Sequence, residues 1–230
     1  GITEIPVFSR LRCGVISTGD EVVTVDATPA MGQVRDVNSY VLGAALKRRG
    51  VDTRYYGVVA DDFIRLQEKI AAALAENDLV VMSGGSSVGD RDLSLEVLLS
   101  FPDSRLLFHG LSIKPGKPTL AVRIGSQLVL GLPGHPVSAL MVLEVLLEPV
   151  LPEGLRGTCT AVLTDNVASQ AGRDDFVRVK VDYSSGVAKA IPVHGKAGLI
   201  RVMSEANGFI HIPHQKQGLS KGETVIVRLF

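Results

Sequence analysis

Thiols are scarce in this chain: Cys13 and Cys159 are the only cysteines, and they stand far apart in unrelated contexts. Together with five scattered histidines they give no zinc-ligand spacing, so a thiolate metal site is not expected and any metal would be a hard ion held by oxygen. A reducing cytoplasm is the expected location. Charge of one sign is missing too. The 24 Lys and Arg balance 24 Asp and Glu, and no basic run of the kind that grips a phosphate backbone occurs, so nucleic acid is not an expected partner. Long apolar runs are also lacking. "ALMVLEVLLEPVL" is too short to span a bilayer and carries Glu144 and Glu148, so it reads as buried helix and no membrane segment is expected. The start, "GITEIPVFSR", lacks the charged head and apolar core of a signal peptide.

What the chain does have is alternation. "LRCGVIS" reads as a buried strand, and "NSYVLGAALKRRG" as a helix with Asn38 as cap and Gly50 as stop. "DTRYYGVV" is a second strand, "DDFIRLQEKIAAALAEN" a second helix and "DLVVMS" a third strand. "DLSLEVLLSF" is a helix, "RLLFHGLSI" a strand, and "PTLAVRIGSQLVLGLP" two strands joined through Gly125 and Ser126. Pro136 opens the helix "PVSALMVLEVLLEPV". The order predicts a three-layer α/β/α sandwich with a mostly parallel sheet. After Pro152 the runs become short and β-rich ("CTAVLTDNVAS", "DFVRVKVDY", "VAKAIPVH", "GFIHIPH", "TVIVRLF"), which predicts a small all-β domain. The expected organisation is a linker remnant at residues 1–8, an α/β domain at 9–150 and a β domain at 151–230.

In an open parallel sheet, ligands sit beyond the carboxyl ends of the strands. The loops leaving those ends are "STGDE" (Ser17 to Glu21), "ADD" (Ala60 to Asp62), "SGGSSVGDRD" (Ser83 to Asp92) and "GLPGHP" (Gly131 to Pro136). They share glycines, hydroxyls and acids, whereas the return side is mostly helix ends. Backbone N–H groups of Gly84, Gly85 and Ser86, with the hydroxyls of Ser86 and Ser87, suit an oxyanion, and "GLPGHP" offers a second glycine turn at a helix start. Lys114 and Lys117 in "IKPGKP" add positive charge. Asp20, Glu21, Asp61, Asp62, Asp90 and Asp92 lie on the same loops and would repel a phosphate unless a divalent ion sits between, so a magnesium-type ion is expected with an anionic ligand.

Plainer readings compete. Asp61 and Asp62 also suit helix caps, "STGDE" an exposed turn, and the lysines of "KPGKP" a solvated loop. His109 and His135 read equally well as packed polar residues. "GSSVG", Gly85 to Gly89, matches a nucleophile elbow centred on Ser87, but an elbow needs a helix at once behind the nucleophile and "GDRD" intervenes. The turn also lacks the G-K-[ST] ending of a Walker A loop.

Taken together, "STGDEVV", "GQVRDVNSYVL", "VVADD", "DLVVMSGGSSVGDRD", "IKPGKPT" and "GLPGHPVSAL" resemble the molybdopterin molybdenumtransferase family, bacterial MoeA and the E domain of gephyrin. The resemblance implies an α/β/α domain followed by a small β-barrel, a homodimer, and insertion of molybdate into adenylylated molybdopterin with release of AMP, assisted by magnesium. It implies that Glu21, Asp61, Asp92 and Lys114 are catalytic, with Asp61 and Asp92 on the metal and Asp20 and Asp36 beside them. Thr18, Gly19, Asp20, Ser83, Gly84, Gly85, Ser86, Ser87, Lys117, Pro133, Gly134, Pro136 and Ser138 would contact the ligand, and the molybdopterin adenylyltransferase is admitted as a further partner. Two positions depart: relatives often carry Lys where Gly110 stands and Asn where His135 stands. Relatives also have a large N-terminal region that helps complete the active site, so a competent ligand cradle with little turnover is expected of this chain. A molybdopterin adenylyltransferase of the MogA type and a non-catalytic dimeric scaffold are the alternatives.

Overall fold

The computed structural model describes the chain except residues 85–91, 148, 150–156, 185, 196, 197, 199 and 200. In chain order the elements are β1 (Arg12–Thr18), β2 (Val22–Val23), β3 (Val34–Arg35), α1 (Asn38–Arg48), β4 (Asp52–Val59), α2 (Phe63–Glu76), β5 (Leu79–Ser83), α3 (Leu93–Leu99) and β6 (Ser104–His109). They continue as β7 (Ile113–Lys114), β8 (Leu120–Ile124), β9 (Gln127–Leu132), α4 (Pro136–Leu147), β10 (Thr158–Leu163), β11 (Val167–Ala168) and β12 (Asp174–Asp182). The last are β13 (Lys189–Pro192), α5 (Arg201–Glu205), β14 (Gly208–Ile212), β15 (Gly218–Leu219) and β16 (Thr224–Leu229). The described residues form two compact units: those of 1–84, 92–107 and 121–131 in one, and those of 108–120 and 132–230 in the other.

The first unit is built on a six-stranded sheet in the order β4-β1-β5-β9-β8-β6. β1 runs parallel to β4 and to β5. β5 is buried along its whole length, as the unbroken "LVVM" requires of a strand covered on both faces. The covering helices lie on opposite faces, because consecutive strand residues point in opposite directions. Tyr55 of β4 lies against Gly43 of α1, while the Tyr56 hydroxyl accepts a 2.8 Å hydrogen bond from Asn77 at the end of α2. This is the three-layer α/β/α arrangement with a mostly parallel sheet that the pattern predicts. Gly50, at φ +74°, ends α1 as expected. Asn38 does not cap α1: it is the first helical residue, and the Asp36 carboxylate instead accepts from the Ser39 amide at 3.1 Å.

The second unit contains a closed barrel. Five strands pair in the cycle β13-β10-β16-β14-β12 and back to β13. Its core comes from inward residues such as Val179, Val181, Ile210, Ile212, Val225 and Val227, which alternate with outward ones along each strand. A second cluster joins Val137 and Met141 of α4 to Phe176 and Phe209. "RLLFHGLSI" is not one strand. It breaks at Gly110, φ +93°, and its end becomes β7, which pairs with β12.

The two thiols differ in kind. Cys13 is fully buried near the start of β1, and burial pushes its pKa up to about 12, whereas Cys159 is partly exposed. A thiol reagent is expected to label one cysteine per native chain and the second only in denaturant; two fast-labelling thiols would contradict this burial.

Candidate functional site

In the first unit, the carboxyl ends of β1, β4 and β5 come level: Ser17 is in register with Ser83, and Thr18 with Val59. The match to β4 depends on an irregularity after Val15, where β4 accommodates an extra residue beside Gly57 at φ +81°. A buried hydroxyl network ties these ends to the start of α1. Ser17 donates to Asp36 at 2.8 Å and lies 2.9 Å from the Ser39 hydroxyl and 3.1 Å from that of Ser83. A hydroxyl has one proton and two lone pairs, so with its proton on Asp36, Ser17 accepts from both Ser39 and Ser83. Ser83, expected to cradle ligand, thus has its proton committed inside the protein; Gly84 follows it, with φ +96°.

Above this network stands an acid cluster. Thr18 donates to Asp61 at 3.3 Å, and the Asp61 amide donates to the Asp20 carboxylate at 3.1 Å. The Glu21 carboxylate folds back over Gly19, so that a Cβ at Gly19 would lie 2.7 Å from it. Burial raises the Asp61 pKa, and the charges of Asp20 and Glu21 raise it further, against the Thr18 hydrogen bond that lowers it. The neighbouring acid plays a different part, for Asp62 caps α2 by accepting from Arg65 N at 2.9 Å. Asp92 likewise caps α3, accepting from Leu95 N at 3.0 Å. Next to Asp61, a cleft of about 360 Å³ is lined by Val58, Val59 and Ala60 and by Arg65, Glu68, Lys69 and Ala72 of α2.

Gly85, Ser86, Ser87 and Asp90 lie outside the described residues. The nucleophile-elbow reading centred on Ser87 therefore also lies outside the described residues.

In the second unit, Lys114 and Lys117 are both exposed on a loop that is tightly fixed. The Lys117 carbonyl accepts from Leu111 N and Thr119 N, and the Thr119 hydroxyl donates to the Gly116 carbonyl at 2.6 Å. Lys114 belongs to β7 and faces the Asp175 carboxylate at 3.8 Å, while Arg173 donates to the other oxygen of Asp175 at 3.0 Å. Sequence reasoning misses Arg173 and Asp175; the only local signal is "GRDDF", an arginine and two acids inside a β-rich stretch. In "GLPGHP", Pro133 is buried, Gly134 and His135 are exposed, and Pro136 opens α4, with Ser138 buried in its first turn. Among the described residues, no three His, Cys, Asp or Glu form a ready metal cage, and no helix is long and apolar enough to cross a membrane.

The first unit is thus an α/β domain with acids and hydroxyls gathered at its strand ends, and the second a β-barrel domain with two exposed lysines on a fixed turn. Residues 14–153 match the family described as "Probable molybdopterin binding domain", and residues 160–230 match "MoeA C-terminal region (domain IV)". The chain belongs to this molybdopterin-binding family, in its MoeA branch. A relative from Methanocaldococcus jannaschii is 36% identical over 100% of this chain and 57% of its own length. The molybdopterin molybdenumtransferase of Haemophilus influenzae is 31% identical over 100% of this chain and 59% of its own. The crystal structure of a MoeA molybdopterin biosynthesis protein from Pyrococcus horikoshii superposes with a TM-score of 0.84 at 34% identity, covering 97% of this chain and 55% of that one. The chain thus spans little more than half the length of the curated relatives it matches.

Proposed function

We propose that the chain binds adenylylated molybdopterin and serves the insertion of molybdate with release of AMP, a step of molybdenum cofactor biosynthesis. The observation that carries this reading is the acid cluster of Asp20, Glu21 and Asp61, held at the shared ends of β1 and β4 by Thr18 and by backbone hydrogen bonds. Burial first, and then the charges of Asp20 and Glu21, raise the Asp61 pKa, so a cation beside Asp61 would relieve an unfavourable ionisation. The donor set is all oxygen and falls short of a closed cage, which fits magnesium, an ion usually held by one or two carboxylates with water and ligand phosphate completing its shell. When bound, magnesium supplies charge neutralisation between these acids and the phosphates of the ligand. Asp61, with Asp20 or Glu21 beside it, would offer it one or two carboxylates; in the second unit, Lys114 and Lys117 would contact anionic groups of a ligand. No protein nucleophile is required if the dithiolene sulfurs attack molybdenum themselves. The same reading includes a homodimer and a reducing cytoplasm, the latter in keeping with two free cysteines.

Calorimetric titration of adenylylated molybdopterin with and without magnesium tests this. Binding is expected to strengthen at least tenfold with magnesium, and no heat under either condition would refute it. Asp92→Asn separates two roles of Asp92, because asparagine caps a helix as well as aspartate does. Lost magnesium dependence with an unchanged Tm would put Asp92 on the metal; full retention would leave it as a cap.

A further inference from the structure

We infer that Asp175 is a positioning residue for Lys114, an inference that rests on the proposed contact of Lys114 with the anionic ligand. β7 lies parallel to β12 with Lys114 in register with Asp175, so the backbone pairing itself sets the two side chains face to face. The Asp175 side chain is 3% exposed and that of Lys114 59% exposed. A carboxylate so buried needs a partner, and Arg173 supplies a charge-assisted hydrogen bond at 3.0 Å. Lys114 is therefore not needed to satisfy Asp175. At 3.8 Å its ammonium is attracted without being hydrogen-bonded, which leaves three N–H groups for a ligand.

The triad of two cations and one anion keeps a net positive charge, and only its lysine is largely open to solvent. The backbone beneath that lysine is equally constrained. Gly116, φ +117°, lies so close to Val142 of α4 that a Cβ there would collide with it, and Thr119 locks the turn through the Gly116 carbonyl. A four-carbon side chain ordinarily loses much rotamer freedom when it binds an anion. Asp175 takes up that cost before the ligand arrives, which is preorganisation.

The sign of the effect separates this role from simple electrostatics. Removing the negative charge of Asp175 makes the local field more positive, so a purely electrostatic site would bind an anion more tightly in Asp175→Asn. A positioning role demands weaker binding. Adenylylated molybdopterin with magnesium is titrated into the chain, Lys114→Gln, Asp175→Asn and the double variant, each with its melting curve. Lys114→Gln is expected to weaken binding by roughly tenfold or more and Asp175→Asn by several-fold, with the double variant no weaker than Lys114→Gln alone. Equal or tighter binding by Asp175→Asn, beside a weakened Lys114→Gln, overturns the positioning role and leaves the lysine contact standing. Additive losses overturn it too, since Asp175 would then act independently of Lys114. An unaffected Lys114→Gln removes the lysine contact and the positioning role together. If Asp175→Asn does not fold, Arg173→Gln keeps both the carboxylate and its lysine: affinity within about threefold of the original supports the role, whereas a loss equal to that of Lys114→Gln assigns the contact to Arg173 and overturns it.

Discussion

Asp61→Asn is expected to make the protein more stable and weaker in magnesium-dependent binding. Burial, then the nearby Asp20 and Glu21, hold the Asp61 pKa above the ordinary carboxylate value. The folded state therefore binds this proton more tightly than the unfolded state does, and ionising Asp61 costs stability. That cost is absent below the unfolded-state pKa and complete above the raised folded-state pKa. Asparagine removes it while keeping an oxygen to accept from Thr18. The variant should therefore melt higher at pH 7, with the gain shrinking as pH falls through the carboxylate range. Binding should move the other way. Without magnesium the variant repels phosphate less and should bind adenylylated molybdopterin at least as well as the original chain. With magnesium it should fall behind by about 10- to 100-fold, because a charged ligand to the ion is gone. Calorimetry at the two ion conditions and melting curves across that pH range give the readings. Magnesium-dependent binding preserved in full would remove Asp61 from the metal, whatever the melting curves show.

The parts legible in the sequence were those written in local pattern. The unbroken "LVVM" gave β5 and its double-sided burial, and the 3.6-residue period of "FIRLQEKIAAALAE" gave α2, because both signals depend only on neighbouring residues. Two adjacent acids defeat such reading. Asp61 and Asp62 are chemically alike, and only the backbone turn decides that Asp62 caps α2 while Asp61 faces Asp20 and Glu21. Asn38 looked like the cap of α1, yet Asp36, nearer the strand, reached the Ser39 amide first. Lys114 was legible as a cation on a stiff loop. Its partner was not, since Asp175 is distant in the chain and is brought opposite only by the pairing of β7 with β12, a long-range contact with no local trace. The five-residue helix α5 leaves no local sign in the sequence, because it is too short to show a period.

Gly84→Ala should be among the most damaging small substitutions in the first unit, and the reason is two backbones meeting. Ser17 and Ser83 are paired in register, so the next residues, Thr18 and Gly84, leave the sheet side by side. A Cβ at Gly84 would collide with the Thr18 carbonyl oxygen, and φ at +96° is disfavoured for any L side chain. Neither atom belongs to a flexible side chain, so relief requires prising β5 from β1 at the point where Ser17, Ser39, Ser83 and Asp36 are joined. Backbone strain and steric overlap together amount to about 3 kcal/mol or more, a fall in Tm of roughly 10 °C. Two other glycines set the scale. Gly32 has φ +85° and open space around it, so Gly32→Ala carries the torsional cost alone, about 1 kcal/mol. Gly19 has φ +137° and meets only the movable Glu21 carboxylate, so Gly19→Ala should melt between the two while displacing Glu21 and weakening magnesium-dependent binding. Thermal melts followed by circular dichroism give the order directly. If Gly84→Ala costs no more than Gly32→Ala, the close approach of β1 and β5 is not what holds the base of the site together, and the hydroxyl network alone must do so.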